Sequence, residues 1–506
     1  MNIMGFSGLI AIPLISSPIV YLAGRVGSHD QILHRRSYLV RVLAVLAVLL
    51  SWFPFILMAQ DFLANGIQVF RIETIWLRVD GISLLMAGSV LLLGTLVVFF
   101  SGSYMHGEVG EEKYYAMLLA MMGLMIGLVT SSDLFNLWVW FEGMAISSYL
   151  LVAFYREQPA SIEAGMKYLV QSATGSVLVL MGIAIVLAQT GTLGMADISA
   201  RLSSPSVNHM ALLGAGALFV IGFGVKVALV PLHTWLPDAH SQAPSGISAM
   251  LSGVVIEVGL VAMLRALGVL TGTTLSWGIL FMVFGALNIL YGNLLALRQT
   301  VVKRMLAYSS LSHIGYMLLG LGIAMYSGIA LGAQGAFFHL ITHMLMKGLA
   351  FLAVGALMYG MLLQNNSHVS LKKDDLAGAA QKYPLAALAL SIAVLALGGM
   401  PPLAGFMSKW QIFESGFATQ NGWIIALMIF MALNSVLSLG YYAPLVNLMY
   451  RKQPSQQVVC GKPMTWTIAL PLVVMTGLVI VLGFFPGLVN SLTVPASQQF
   501  MTMFGY

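Results

Sequence analysis

FHLITHMLMKGLAFLAVGAL, Phe338–Leu357, is the stretch that decides the fold class. An apolar run of about 20 residues is the length of one α-helical crossing of a bilayer. This run also carries His339, His343 and Lys347 at steps of four. Such steps lie nearly above one another on a helix, so three proton-binding side chains share one stripe of an otherwise lipid-compatible segment. The fold must explain both the apolar length and the stripe.

The rest of the chain has the same character. Of its 506 residues, 59% are hydrophobic and 8% are charged, with a mean hydropathy of +0.92. Soluble domains carry about 25% charged residues, so an all-α, polytopic membrane protein is expected. The N-terminal run MNIMGFSGLIAIPLISSPIV lacks the basic start of a secretory signal and reads as a retained first span. A single cysteine, Cys460, excludes an internal disulfide and any multi-cysteine metal or iron–sulfur site.

Hydropathy predicts fourteen spans: 3–24, 38–60, 82–101, 114–130, 134–154, 166–189, 211–236, 245–270, 275–297, 303–325, 329–361, 384–415, 421–450 and 466–490. The eleventh to thirteenth are long, so tilt or breaks are expected in them. The connections near 61–81 and 362–383 are too short to fold alone, leaving 1–506 as one membrane domain.

Basic residues orient it. The odd-numbered connections hold 16 lysines and arginines, Arg35, Arg36 and Lys303 among them; the opposite side holds only Arg71, Arg78, Arg201 and Arg265. The positive-inside rule then places the rich side in the cytoplasm and both termini outside, in a prokaryotic-type inner or plasma membrane. Most of the net charge of +6 therefore serves orientation rather than nucleic-acid binding.

Lys226, Lys347 and Lys409 complete the 23 basic residues and lie inside spans, as do Glu142 and Glu257. An ionised group at mid-bilayer costs at least about 2.5–3.5 kcal/mol on insertion scales, so each is a candidate for function. Static ion pairing is the structural alternative, chiefly for Glu257, whose side chain is too short to reach the interface. His339 and His343 could supply two ligands to a metal, but no cysteine or nearby carboxylate completes a set, and Lys347 adds positive charge one turn away. A proton relay fits better, because imidazole titrates near neutral pH and passes protons through either nitrogen.

Helix breaks adjoin two of the lysines. Lys226 precedes Pro231 in GVKVALVPLHTWLPDAHSQAP, where His233 and Asp238 are secondary candidates. Lys409 follows Pro401 and Pro402 in GGMPPLAGFMSKWQIFES. Proline frees backbone carbonyls that need partners in protein or water, and paired breaks beside buried charge are the pattern of inverted-repeat transporters. Superposing Pro231-Leu232 on Pro402-Leu403 gives an offset of 171 residues, which carries Glu142 onto His313. Five spans separate the paired elements, so the halves would be inverted.

LWVWFEGMAISSYLL (137–151), the region 225–255, KRMLAYSSLSHIGYMLLGLG (303–322), the opening stretch and GGMPPLAGFMSKW (398–410) resemble the antiporter-like subunits of respiratory complex I. Subunits of membrane-bound hydrogenases and of Mrp-type cation/proton antiporters belong to the same family. The resemblance implies two inverted five-helix repeats, 114–270 and 275–450, with broken seventh and twelfth spans and a charged axis carrying protons. It matches Glu142 to the family's fifth-span glutamate and Lys226 to its broken-helix lysine. His313, His339, His343 and Lys347 match the linking relay, and Lys409 the terminal group. Glu257 departs, standing where the family commonly has lysine or histidine.

Two opposite charges 4 Å apart attract by roughly 4 kcal/mol at an effective dielectric near 20. Glu142 near Lys226 would hold the lysine's proton; drawing the carboxylate away would release it toward His313 and the His339/His343 pair. Three readings follow. The first is a proton-carrying, non-redox subunit of a redox-driven complex, with no cofactor site of its own. Its partners would be other membrane subunits, lipids and, indirectly, peripheral redox subunits. The second is a Mrp-type Na⁺/H⁺ antiporter subunit. The third, a scaffold with a static charge network, does not require the paired breaks.

Overall fold

The computed structural model describes residues 3–25, 30–72, 75–202, 204, 207–271, 276–362 and 369–506, without the side chains of 3–6, 30–36 and 72. Arg35 and Arg36 of the charge count lie outside the described side chains, and residues 363–368 of the connection predicted at 362–383 lie outside the described residues.

Helices follow one another along the chain: α1 (Ile3–Arg25), α2 (Asp30–Asn65), α3 (Gly81–Tyr104), α4 (Glu111–Thr130), α5 (Leu134–Val152) and α6 (Pro159–Thr190). A short α7 (Met195–Arg201) leads to α8 (His209–Val227), α9 (Trp235–Gln242) and α10 (Ser245–Gly268). Then come α11 (Trp277–Leu297), α12 (Val302–Ser327), α13 (Ala330–Met361), α14 (Pro384–Gly398), α15 (Ala404–Ala418), α16 (Gly422–Met449), α17 (Trp466–Phe484) and α18 (Asn490–Met503). Twelve of the described helices are long and apolar enough to cross a membrane, which makes this an all-α polytopic membrane protein. The two remaining predicted spans are α5, diluted by Glu142 and its serines, and the split pair α14/α15.

Burial sorts the helices into layers. α10 and α13 are enclosed along their whole apolar windows, whereas α1, α2 and α16 turn most of theirs outward. A helix that is apolar all round suits lipid or a protein core equally, so neighbours decide its place. Close approach is set by small residues. A Cβ on Gly285 would lie 2.9 Å from the Gly315 carbonyl oxygen, and one on Gly315 2.6 Å from that of Gly285, so α11 and α12 meet backbone to backbone.

Both predicted breaks are present. α8 ends at Ala228 in the left-handed region (φ 59°), and Pro231 lies before the chain re-enters helix at Trp235. α14 ends at Gly399 (φ 80°), and Pro401-Pro402 precede α15. The eleventh and thirteenth spans, by contrast, are the unbroken α13 and α16. Neither contains proline at a point that interrupts it; Pro444 is accommodated within α16.

Two elements had no counterpart in the hydropathy reading. An antiparallel hairpin, β1 (Gln68–Ile72) with β2 (Ile75–Val79), fills the connection before α3 and docks through Ser132 N–H to the Trp76 carbonyl at 2.9 Å. α18 folds back against α3, where Gly81 meets the Pro495 backbone.

Candidate functional site

Lys226 occupies the last turn of α8 and is buried. Its Nζ donates to Ser148 Oγ of α5 at 3.1 Å and to the Tyr168 hydroxyl of α6, and lies 4.6 Å from the centre of the Tyr168 ring. The break builds this seat. Trp235, the first residue after it, stacks on Tyr168 at 3.9 Å, and its Nε1 donates to the Val225 carbonyl at 2.7 Å. Asn288 of α11 clasps the gap by accepting from Val230 N–H at 2.8 Å and donating to the Ala228 carbonyl at 3.3 Å. These bonds satisfy the groups that a broken helix leaves open.

Glu142, on α5 one and a half turns before Ser148, is half-buried, and its Oε2 is enclosed with no hydrogen-bond partner among the described residues. It forms no ion pair with Lys226 in this structure. The ammonium rests on neutral hydroxyls and a π face instead.

Glu257 follows a π-helical turn, Leu251–Val255, within α10. Such turns re-aim the side chains that follow them and recur at functional sites. Its Oε1 lies 2.7 Å from His343 Nδ1 of α13, and both residues are fully enclosed. Among the described residues, Glu257 Oε2 and His343 Nε2 have no hydrogen-bond partner. Gly259, two residues on, packs against Lys226: a Cβ there would sit 3.1 Å from Lys226 Cγ.

The histidines continue the row. His313 Nδ1 of α12 lies 3.0 Å from His339 Nε2, the two rings stacked, and His339 Nδ1 is 2.9 Å from Ser408 Oγ of α15. The His313 and His343 ring centres are 5.2 Å apart. Lys409 Nζ, one residue beyond Ser408, donates to the Leu397 carbonyl and to Ser435 Oγ, each at 2.9 Å, and stands 4.5 Å over the Tyr316 ring. Lys347 turns aside: its Nζ donates to the Leu306 carbonyl at 2.8 Å and to Ser309 Oγ. The three residues of the opening stripe thus share a helix face but serve three different neighbours on α12, α15 and α10.

The secondary candidates lie elsewhere. Asp238 pairs with Arg304 at 2.6 Å and Lys167 at 3.1 Å, pinning α9 to α12 and α6. His233 is half-buried beside Tyr308, its ring 6.4 Å away.

Several participants escaped the sequence reading. Lys303, counted among the basic residues of a connection, is buried, and its Nζ caps the Ala243 carbonyl at 2.8 Å. His240 is enclosed, has no hydrogen-bond partner at either ring nitrogen among the described residues, and stacks on Phe351 at 4.7 Å. Ser148, Tyr168, Tyr316, Ser408 and Ser435 carry no sequence signal that separates them from ordinary packing residues. Asp80 and Arg265 form a buried bidentate pair at 2.9 and 3.0 Å. Burial opposes ionisation of Asp80, but the Arg265 guanidinium and the Ser83 N–H prevail and hold its carboxyl below the usual range.

A polytopic protein with ionisable side chains lined up between two broken helices belongs to the class of ion-translocating membrane proteins. The chain belongs to the family described as NADH:quinone oxidoreductase/Mrp antiporter, TM, which matches residues 131–438. Residues 70–115 match the description NADH-Ubiquinone oxidoreductase (complex I), chain 5 N-terminus. F(420)H(2) dehydrogenase subunit N of Methanosarcina mazei is 31% identical over 481 residues, covering 94% of each chain. Hydrogenase-4 component B of Escherichia coli is 35% identical over 378 residues, 71% of this chain and 54% of that protein. Among solved structures, a chain of the membrane-bound sulfane sulfur reductase, an archaeal respiratory membrane complex, superposes with a TM-score of 0.86 at 28% identity, covering 98% of both chains.

Proposed function

We propose that this chain is the proton-translocating, antiporter-like membrane subunit of a redox-driven complex, and that Glu142, Lys226, Glu257, His343, His313, His339, Lys347 and Lys409 carry the protons. The supporting observation is the row itself: a carboxylate–imidazole contact of 2.7 Å and an imidazole–imidazole contact of 3.0 Å, between two lysines seated at helix breaks.

Each part has a chemical role. Lys226 has only neutral acceptors, so a carboxylate brought to about 4 Å would add roughly 4 kcal/mol of attraction at an effective dielectric near 20. Movement of Glu142 toward or away from it therefore sets whether the lysine keeps its proton. Across the Glu257–His343 and His313–His339 contacts a proton passes within hydrogen-bond reach. The step from Lys226 to Glu257, and that between His343 and His313, needs a bridging water or a side-chain swing. Ser408 connects His339 to the segment that carries Lys409.

His343 beside Glu257 also favours H⁺ over Na⁺. A sodium site needs several oxygen ligands, whereas Glu257 has an imidazole nitrogen at its near oxygen and Val254, Val255, Ile256 and Val258 around it in sequence. The redox-driven assignment rests on the relatives, which are named for a dehydrogenase, a hydrogenase and a respiratory complex. The two inverted repeats, 114–270 and 275–450, and a cytoplasmic basic-rich side are parts of the same proposal. Purifying the chain with its native companions tests it: redox proteins among them support the assignment, and a set of small membrane subunits alone supports a Mrp-type antiporter instead.

A further inference from the structure

Two buried basic side chains, His240 and Lys303, have no part in the row. His240 lies on α9, the first helix after the Pro231 break, and its ring stacks on Phe351 of α13 at 4.7 Å. Phe351 is the next step of four after His343 and Lys347, so it continues their stripe one turn nearer the end of α13. That end leads to Lys372 and Lys373, in a connection counted on the basic-rich side. Where the stripe of α13 becomes apolar, a neighbouring element therefore supplies the imidazole.

Polar groups continue beyond it. At Gly355, a further step of four, a Cβ would lie 2.5 Å from Ser245 Cβ, and Ser245 Oγ is 3.1 Å from the Tyr104 hydroxyl of α3. On α12 the Leu306 carbonyl holds Lys347 Nζ, while Lys303, three residues earlier, sends its own Nζ to the Ala243 carbonyl just past α9. These two ammonium groups are the charges that act on the His240 ring. The Asp238–Arg304 pair keeps α9 against α12.

His313, His339 and His343 each have a hydrogen-bonding neighbour, whereas neither ring nitrogen of His240 has one among the described residues. A neutral imidazole carries one donor and one acceptor, and burying both unmet forfeits their hydration. Packing alone would be served as well by a phenyl ring. An imidazole that takes a proton at one nitrogen and releases one from the other has use for both.

We propose that His240 is the inlet of the row, passing protons from the basic-rich side to Lys347. The inference rests on the proton-carrying reading given above. Water bridges each gap. A proton arriving at one ring nitrogen makes imidazolium, and the proton on the other nitrogen goes to the Lys347 amine. Lys347 has by then released its own proton toward His343, so one proton enters for each that leaves. The inlet also accounts for the Lys347 side chain turning away from the two histidines.

The test measures proton transport in proteoliposomes of the parent complex. His240→Phe keeps a ring against Phe351, and His240→Gln keeps hydrogen bonding; each should cut transport at least about tenfold with an unchanged unfolding temperature. The slowed step is proton entry, so the solvent deuterium isotope effect of His240→Gln should exceed that of the unaltered complex. Normal pumping by either variant would overturn the inlet. So would slow transport with an unchanged isotope effect, which would mean a packing role. Lys226→Ala in the same preparation separates two failures. If it is inactive while His240→Phe pumps, only the inlet is lost; if both pump normally, the row itself is not the path.

Discussion

Lys226 and Lys409 stand at the two helix breaks and solve one problem differently. Both lie about equally close to a tyrosine ring, 4.6 Å over Tyr168 and 4.5 Å over Tyr316, and both donate to a serine, Ser148 and Ser435. Lys226 precedes its break and takes the Tyr168 hydroxyl as its second acceptor. Lys409 follows its break and reaches back to the Leu397 carbonyl, left open at the end of α14. At the offset of 171 residues, Leu397 is the counterpart of Lys226. On the proposed repeat, the Lys409 ammonium therefore reaches the position that corresponds to Lys226. If the two proposed repeats correspond at this offset, they hold in common the position of the charge rather than the residue that bears it. A C-terminal helix carbonyl also favours a cation through the helix dipole, so Lys409 sits in the more fixed of the two seats.

The largest expected effect tests this equivalence. Lys226→Ala and Lys409→Ala should each lower proton transport in proteoliposomes of the parent complex by about 100-fold, the usual size of a lost proton-transfer group. A variant that pumps normally would remove its half from the path. Glu142→Gln should be as severe as Lys226→Ala, because it removes the only charge proposed to switch that lysine. Next comes the link between the halves. His339→Ala and His343→Ala should each slow transport, and the double variant should nearly stop it. One stoichiometric zinc in the purified protein, lost on His339→Ala, would instead mean a metal site.

The seats should differ by a smaller margin. Tyr168→Phe removes a hydroxyl from a buried ammonium, an interaction of about 1.5–3 kcal/mol, and should slow transport by roughly tenfold or more. Ser435→Ala should be milder, since Lys409 keeps its backbone carbonyl. If the two variants behave alike, the carbonyl contributes nothing and the contrast fails. Away from the row, Asp80→Asn should leave transport per folded molecule nearly unchanged but lower stability by about 3–5 kcal/mol, because it strands Arg265 in the core. A thermal unfolding scan in detergent reads it directly.

The twelve long apolar helices and both breaks were legible in the sequence because lipid imposes length and apolarity on every span, and proline marks an interruption wherever it cannot be absorbed. The hairpin at 68–79 and α18 were not legible, since short elements at the rim carry neither constraint. Lysines inside apolar runs drew attention for the same physical reason that makes them costly. Their seats did not: Ser148, Tyr168 and Ser435 resemble any small hydroxyl residue of a membrane helix, and only tertiary packing brings them to an ammonium. Lys303 was counted with a polar connection, whereas it is buried at the start of α12 with its Nζ on the Ala243 carbonyl. The partner of Glu257 also depended on packing. Nothing in the chain between the two residues foretells that His343 of α13, rather than Lys226 or Lys347, would meet it.

That pairing sits at the centre of the row, at a position where the family resemblance leads one to expect a lysine or histidine. Proton transport by Glu257→Gln, measured in proteoliposomes of the parent complex with and without Na⁺, is therefore the most direct test. Loss of the carboxylate should cut transport by at least about tenfold, to the same extent in both conditions, because what is lost is a proton carrier. Near-normal pumping, or a defect that appears only as weakened Na⁺ dependence, would contradict a proton path through Glu257 and His343.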